Sequence, residues 1–194
     1  MDRLDSTRNS IRTALQMLAE EGLVSRQRRM GTVVQGRPVQ LQMHDIVATE
    51  KGTPIEYVRI NEHTITSSGI ISERLQTAQE KVRMLEFIML VRGVPIGTLT
   101  AYQINPNALA PVHLLAADSI VKVFEREYGV PFGRMDCWID AVPADARTAH
   151  MLDIAPKSIL LVRDQVLSDN EGRVHEFAYA HYRADMVSFR SSPL

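Results

Sequence analysis

Residues 6–34 read STRNSIRTALQMLAEEGLVSRQRRMGTVV, and this stretch decides how the chain is organised. Thr7 is placed to cap the start of a helix, because its hydroxyl can accept a hydrogen bond from a backbone N–H of the first turn. Gly22 is placed to end that helix, since glycine adopts the left-handed conformation that commonly follows the last turn. Between them, apolar residues recur at three- and four-residue spacing and form one stripe, which comprises Ile11, Ala14, Leu15, Leu18 and Ala19. The stretch therefore begins with an amphipathic helix.

A basic hairpin is predicted after the helix. The β-prone segments 23–24 and 32–34 flank a tip, residues 26–31, that contains three arginines. A polar helix N-terminus and an arginine-rich β wing are what groove reading and phosphate contact require. The candidate DNA-binding residues are Thr7, Arg8, Asn9, Ser10, Arg12, Arg28, Arg29 and Gly31. A solvated helix face is the alternative interpretation of Arg8 and Arg12, and the presence of the wing favours DNA.

The same residues resemble the second half of a winged helix-turn-helix of the GntR family. The matching segments are residues 7–15, 18–24 and 30–32. Arg29 stands where the family has the first glycine of its wing. The resemblance implies a double-stranded DNA operator as partner. Two further helices precede the recognition helix in the family, and this chain starts about where the second should end. We therefore expect residues 1–36 to form a partial, N-terminally truncated DNA-binding domain, followed by a linker over residues 37–50.

The charge of the chain is uneven, with a basic N-terminal part and an acidic remainder. Residues 1–40 contain seven arginines against four acidic residues, whereas the remainder carries 15 basic and 19 acidic residues. That division suits contact with DNA, although ordinary surface variation is the alternative explanation. Cys137 is the single cysteine, so no intrachain disulfide can form. No apolar stretch approaches the roughly 20 residues that span a bilayer and no signal peptide opens the chain, which predicts a cytoplasmic protein without membrane partners.

From about residue 51 the pattern is typical of an antiparallel α+β domain. Strand-like segments are joined mainly by short turns, with helices between pairs of strands. The predicted strands are 56–60, 82–91, 96–104, 135–142, 159–167 and 174–183, and residues 61–81 are left unassigned. The predicted helices are 120–128, capped by Asp118-Ser119 and ended by Gly129, and 144–152. We expect this domain to span residues 51–190.

This body resembles the UTRA effector-binding domain of the HutC branch of the same family. The marks are residues 92–96, 119–129, 141–145 and 181–185, together with Phe189. Their order and their position behind a wing carry the resemblance, which is best after residue 82. It implies a chorismate-lyase-like fold, an internal pocket for a small-molecule effector and a homodimer. The stretch 61–81 departs from the family and is short of a helix that is usually found there.

The resemblance also implies where an effector binds. Sugar-binding members have an arginine and a glutamate on the first hairpin, and Phe87 and Leu99 stand at those places here. Neither side chain can pair with phosphate or bridge hydroxyls, which argues against an aminosugar phosphate. A less polar or aromatic effector, or a cationic one held by Glu176, fits these residues better. Plain core packing is the alternative interpretation of Phe87 and Leu99, and a surface ion pair is that of Glu176.

Other positions of the resemblance keep polar groups. Ser119 opens the helix after the first hairpin, where backbone amides favour an anion, or it serves only as a cap. Tyr182 lies six residues after Glu176, so the two side chains face the same side of a strand. The alternative interpretation is that Tyr182 only holds that strand in place. Tyr102 and Arg134 are further polar candidates near the same wall. The candidate effector-binding residues are therefore Phe87, Leu99, Tyr102, Ser119, Arg134, Glu176 and Tyr182.

Three functions are compatible with these features. The first is an effector-responsive transcription factor, a repressor. The second is an effector-binding module that has lost DNA binding through truncation. The third is an enzyme of chorismate-lyase type, which rests on the implied fold alone and for which no acid–base pair stands out. The six histidines show no metal-ligand spacing and none is placed to activate Cys137, so we expect no metal, no cofactor and no catalysis.

Overall fold

The chain divides into two units, Met1–Pro38 and Val39–Leu194. The computed structural model describes residues 8–20, 24–27, 31–34, 38–44, 55–67, 69–104, 113–115 and 119–191. The first unit contains helix α1 (Arg8–Glu20) and strands β1 (Val24–Gln27) and β2 (Gly31–Val34).

The first unit is a helix followed by a two-stranded hairpin, as the sequence predicts. Strands β1 and β2 are antiparallel, with Val24 opposite Val34. Val24 is buried and α1 contacts β1. Within the predicted apolar stripe, Leu15, Leu18 and Ala19 are half-buried, whereas Ala14 and Ile11 are exposed. The predicted cap at residue 7, the predicted helix end at residue 22 and the wing tip at residues 28–30 lie outside the described residues.

The second unit is built on a seven-stranded antiparallel sheet, which confirms the predicted α+β fold. The strands of the unit are β3 (Val39–Gln42), β4 (Glu56–Thr66), β5 (Lys81–Val91), β6 (Val94–Gln103), β7 (His113–Leu115), β8 (Phe132–Pro143), β9 (Ile159–Asp169), β10 (Val174–Arg183) and β11 (Val187–Arg190). The helices are α2 (Ile70–Leu75), α3 (Ile120–Tyr128) and α4 (Ala146–Met151). The sheet has the strand order β7-β4-β5-β6-β10-β9-β8.

The local signals of the sequence locate most of these elements correctly. The hairpins β5–β6 and β9–β10 are present, and α3 has the predicted bounds. Ser119 is its N-cap, and Gly129 ends it with a φ of 66°, the left-handed conformation that glycine adopts without steric cost. Helix α4 begins at Ala146, because the Asp145 carboxylate accepts hydrogen bonds from the backbone N–H groups of Arg147 and Thr148.

Residues 61–81 differ from the prediction. Strand β4 continues through Thr66, and α2 occupies Ile70–Leu75, so the expectation that this stretch lacks a helix is corrected. One turn and a half of helix is too short to give a clear apolar period. Its stability comes from tertiary packing, since Leu75 is buried against Val82 and Phe177.

One strand of a short parallel pair lies within the segment predicted as a linker. Strand β3 pairs with β11, at the opposite end of the unit's sequence, and Leu41 and Val187 are buried there. The buried Arg163 guanidinium donates to the Gln42 carbonyl at 3.3 Å and lies 5.6 Å from the ring centroid of Phe189. The strand that follows the first unit along the chain is thus held in the core of the second.

Strand alternation gives the sheet two distinct faces. The inner face is the one that carries Leu85, Phe87, Leu99, Ala101 and Tyr182, which form one core cluster with β3 and β11. The outer face carries Tyr102, Val166 and Phe177, against which α2 packs, and Leu160, against which α4 packs. Helix α3 covers part of the inner face.

Candidate functional site

The spacing of residues in α3 gives the helix one side that faces the sheet. Ile120, Val123, Phe124, Glu127 and Tyr128 recur at helical intervals, so they lie along one side of the helix. The first three are buried against Met135 and Leu167 of the sheet. The two polar residues continue the same side beyond this packing. Helix α3 therefore directs a carboxylate and a phenol toward the inner face.

A cavity, called the α3 cavity below, lies between α3 and the inner face. The space between its lining atoms is about 540 Å³, a figure that includes the solvent at its open mouth. Its apolar lining consists of Tyr57, Leu85, Phe87, Leu99, Ala101, Ile120, Val123, Phe124 and Leu167. Its polar lining consists of Gln103, Glu127, Tyr128, Gln165 and Glu176. The arrangement is an apolar chamber with a group of oxygen-bearing side chains in its wall.

Glu176 is the centre of the polar group. It lies directly opposite Gln103 on the neighbouring strand. One carboxylate oxygen, Oε2, accepts hydrogen bonds from Gln103 Nε2 at 3.1 Å and from the Tyr128 hydroxyl at 2.8 Å. Burial raises the pKa of Glu176 above its ordinary value, and these two hydrogen bonds oppose the rise. Burial and the Glu176 charge raise the pKa of Tyr128, so its hydroxyl stays protonated and donates.

Glu127 is a second carboxyl group in the same wall. Burial and the negative charge of Glu176 raise its pKa to about 7, while Arg126 and Arg83 act in the opposite direction. The cavity therefore holds two acidic groups that repel each other when both are charged. A positively charged group placed between them would relieve that repulsion.

The raised pKa of Glu127 predicts a pH-dependent stability. The folded state disfavours the charged carboxylate, so the stability contribution of Glu127 is complete below pH 4.5 and is lost as the pH rises through about 7. We expect Glu127→Gln to raise the melting temperature by a few degrees at pH 8 and by much less at pH 5. Fluorescence of Trp138, the single tryptophan, follows the transition. The exposed Glu80→Gln variant should melt like the original protein at both values, and an equal effect at both values for Glu127→Gln would refute the assignment.

Three of the predicted effector residues line the α3 cavity. Phe87 and Leu99 lie in its apolar wall and Glu176 in its polar group. Phe87 and Leu99 also belong to the core cluster of the inner face. Their surroundings therefore fit both effector contact and plain core packing. Glu176 forms no surface ion pair among the described residues, because its partners are Gln103 and Tyr128.

The other predicted effector residues lie outside the lining. Tyr102 is on the outer face, stacked on Phe177 with ring centroids 5.9 Å apart, because it alternates with Ala101 and Gln103 along β6. Tyr182 shares the inner face with Glu176, but six strand residues separate the two by roughly 20 Å. It packs edge-on against Phe189 in the core instead.

Ser119 and Arg134 also lie outside the lining. Ser119 precedes Ile120 as the N-cap of α3, with an extended backbone and no capping hydrogen bond from its side chain within the described part of the chain. Arg134 is exposed at the start of β8 and pairs with Asp136 at 2.9 Å. The placement of Arg134 near the cavity wall is therefore corrected, since its side chain extends into solvent.

The structure adds four polar residues that sequence analysis does not select. Glu127 and Tyr128 carry a signal that could have been used, because they continue the apolar stripe of α3 where polar residues are unexpected. Gln103 follows Leu99 and Ala101 at alternate positions of β6, which is a weaker signal of the same kind. Gln165 carries none, since it follows the polar residues Arg163 and Asp164 on β9.

The candidate DNA-binding residues that are described lie at the surface of the first unit. Asn9, Ser10 and Arg12 are exposed on the first turns of α1. Gly31 is exposed at the start of β2 with a φ of 89°, which a side chain would disfavour. Arg8 is the first residue of α1. Three further predicted contacts lie outside the described residues, namely Thr7, Arg28 and Arg29.

Other chemistry receives no support within the described residues. The Cys137 thiol donates to the Met43 carbonyl at 3.5 Å, and burial raises its pKa, which keeps it in the unreactive thiol form. No group of three histidine, cysteine or carboxylate side chains in the described ranges could hold a metal ion. None of the described helices has the length and apolar character needed to cross a bilayer.

Two family models match the chain. The one described as UTRA domain matches residues 60–188, and the one described as bacterial regulatory proteins, gntR family, matches residues 1–34. The first covers most of the second unit, and the second covers α1 and the hairpin.

Several similar proteins align with nearly the whole chain. The Escherichia coli (strain K12) protein named probable transcriptional regulator PhnF is 24% identical over 96% of this chain and 80% of its own. The Mycobacterium tuberculosis (strain ATCC 25618 / H37Rv) HTH-type transcriptional regulator Rv0792c is 25% identical over 97% of this chain and 73% of its own. The crystal structure of PhnF from Mycobacterium smegmatis has the same fold, with a TM-score of 0.70, 20% identity, and coverage of 98% of this chain and 86% of that one. The protein is a member of the UTRA-domain family, with a GntR-type DNA-binding segment ahead of the UTRA domain.

Proposed function

We propose that this protein is a transcriptional repressor whose DNA binding is controlled by a small molecule bound in the α3 cavity. The observation that carries the proposal is the presence, in one chain, of an exposed polar and basic helix start and a separate unit with a largely apolar cavity. Two proteins that align with nearly the whole chain are named as transcriptional regulators, which supports the proposal. We place the protein in the cytoplasm, where its operator is.

In this proposal the first turns of α1 contact the DNA. Asn9, Ser10 and Arg12 are exposed and bear the donors and acceptors that contact base edges or phosphates in the major groove. The hairpin follows the backbone or the minor groove, with Arg28 and Arg29 at its tip. We propose a homodimer, so that each operator has two half-sites related by the symmetry of the protein.

The effector acts through a difference in affinity. A ligand changes DNA binding only if it binds the DNA-competent and the DNA-free states unequally. The α3 cavity shares Phe87 and Leu99 with the core cluster that also contains Leu41 of β3, the first strand of the second unit. Occupancy of the cavity can therefore alter the packing of the strand that begins the second unit.

The salt dependence of DNA binding tests this function. A duplex selected by the protein from a random-sequence pool is titrated between 50 and 200 mM salt, roughly the range over which phosphate contacts lose most affinity. Four candidate arginines per chain, each neutralising one phosphate, should give a log–log slope steeper than about −3. Failure to enrich any duplex at low salt, or a flat salt response, would contradict the proposal.

The same titration decides the alternative function, an effector-binding module without DNA activity. The observation in its favour is the exposure of Ile11 and Met17 on α1, at 42% and 56%. Apolar side chains on a short helix usually need covering partners. A protein that binds ligands in the α3 cavity but no duplex would establish this alternative. We propose no catalytic activity in either case.

A further inference from the structure

We propose that the ligand of the α3 cavity is a primary amine, bound as the ammonium ion, that carries an apolar hydrocarbon or aryl body. The inference rests on the proposed function, since it takes the cavity to be the effector site. It goes further by assigning the chemical class of the ligand.

Buried acceptor atoms without partners are the first ground. Gln103 is 3% exposed, and its amide nitrogen is committed to Glu176. Its Oε1 therefore points elsewhere, and it has no hydrogen-bond partner among the described residues. Gln165 is 2% exposed, and its Oε1 is likewise without a partner in the described part of the chain. A buried acceptor left unpaired is costly, so a bound group with several N–H donors would complete this wall.

The charge of the wall is the second ground. Glu127 and Glu176 bring two carboxyl groups to one cavity, and none of the described lining residues carries a positive charge. An ammonium group has three donors and no acceptor, which matches carboxylate and carboxamide oxygens. An anionic ligand would instead be buried beside two carboxyl groups and two unpaired oxygens, an arrangement that desolvation and repulsion both disfavour.

The nearest cation does not reverse this conclusion. Arg83 lies opposite Gln103 on the neighbouring strand, but it is not among the described lining residues. Its Nε donates to Glu62 Oε1 at 2.8 Å, so its charge is already offset. Its NH1 has no hydrogen-bond partner in the described ranges, which makes an anion near Arg83 the rival interpretation.

The apolar lining sets the remainder of the ligand. Phe87, Leu99 and Phe124 belong to a chamber whose lining is apolar apart from the polar group around Glu176. In that surrounding a hydrocarbon or aryl body gains free energy by leaving water, whereas a polyhydroxylated sugar would leave hydroxyls unpaired. The hydrophobic contact supplies affinity, and the acceptor group supplies selection for the amine.

A matched ligand series tests the inference. The probes are 3-phenylpropylamine, 3-phenylpropanol and 3-phenylpropanoate, which share one body and differ in the terminal group. Binding to the full chain is measured by isothermal titration calorimetry at pH 8. We expect the amine to bind at least about tenfold more tightly than the alcohol, and the carboxylate more weakly than either.

Variants locate the amine. Glu176→Gln should weaken amine binding by about 10- to 100-fold and alcohol binding by less than about threefold. Glu127→Gln, at a partly exposed position, should lower only the amine affinity and serves if Glu176→Gln does not fold. The exposed Glu80→Gln is the charge-matched control and should change neither.

Three results would overturn the inference. They are an amine that binds no better than the alcohol, binding of none of the three probes, and a carboxylate that binds more tightly than the amine. The last result, with loss of binding in Arg83→Gln, would establish the rival anion site. The proposed function is tested separately, by the salt titration of DNA binding. If the protein binds DNA as expected but the three probes give a negative result, only the assignment of an amine ligand is rejected.

Discussion

Gly133→Ala is expected to lower the free energy of unfolding of the second unit by about 3 kcal/mol or more. A Cβ at this position would lie 2.1 Å from the carbonyl oxygen of Asp169, 2.4 Å from its carbonyl carbon and 2.8 Å from the backbone nitrogen of Asn170. All three are backbone atoms, so no side-chain rotation can relieve the overlap. The close approach occurs where the register of β8 shifts between Phe132 and Arg134.

The turn that Gly133 meets is held in place by its own hydrogen bonds. The buried Asp169 carboxylate accepts from the backbone and side chain of Arg173, from His175 and from the backbone N–H of Glu171. Burial opposes its charged form, but these donors outweigh burial and keep its pKa well below the ordinary value. A shift of this turn would move the start of β10, which positions Glu176.

Urea unfolding followed by Trp138 fluorescence measures the effect, since the single tryptophan lies in the second unit. Gly93→Ala is the matched control, because its Cβ would meet nothing within 4 Å and only its φ of 76° is unfavourable. The control should cost about 1 kcal/mol, the penalty of a left-handed residue. A Gly133→Ala variant no less stable than Gly93→Ala would show that β8 does not pack against the turn as described.

Arg12→Ala is expected to reduce affinity for the selected duplex by about 10- to 100-fold, with a salt slope shallower by about one. The side chain is exposed on the first turns of α1, where it can contact a base edge or a phosphate. Ligand binding in the α3 cavity should be unchanged, since the cavity is formed by the second unit alone. Fluorescence anisotropy of labelled duplex measures the first quantity and calorimetry the second.

Lys81→Ala removes the same charge from an exposed position of the second unit and should leave DNA affinity within about twofold, because it contacts no phosphate in this proposal. An equal loss of affinity in Arg12→Ala and Lys81→Ala would indicate that only net charge matters. Retention of full affinity in Arg12→Ala would mean that α1 does not read the DNA.

Elements specified by local signals could be predicted from the sequence. The hairpin β9–β10 and helix α3 have turn residues, caps and apolar periods within a dozen residues of one another. Strand β3 could not be predicted, because its four residues acquire their structure by pairing with β11 at the far end of the unit. Helix α2 could not be predicted for a related reason, since one buried residue, Leu75, fixes it against the sheet.

The candidate site shows the same division. Strand parity puts Leu99 and Tyr102, three residues apart on β6, on opposite faces of the sheet, so the two could not line one cavity. Parity does not tell which residues of other strands share the face of Leu99, because the pairing of β6 with β5 sets Phe87 beside it. The polar group around Glu176 joins residues from a helix and three strands, and no spacing in the sequence brings Glu127 and Gln165 together. Burial, which gives Glu127 its raised pKa, exists only in the folded chain.

The most direct test of an effector-controlled DNA-binding protein is the affinity for the selected duplex with and without a saturating ligand of the α3 cavity, found by thermal-shift screening of metabolites. We expect the ligand to change the dissociation constant of the duplex by at least about fivefold. We also expect Glu176→Gln, which binds the ligand poorly, to keep its affinity for the duplex and to lose that response. A ligand that occupies the cavity and leaves the dissociation constant unchanged would contradict control of DNA binding by the UTRA domain.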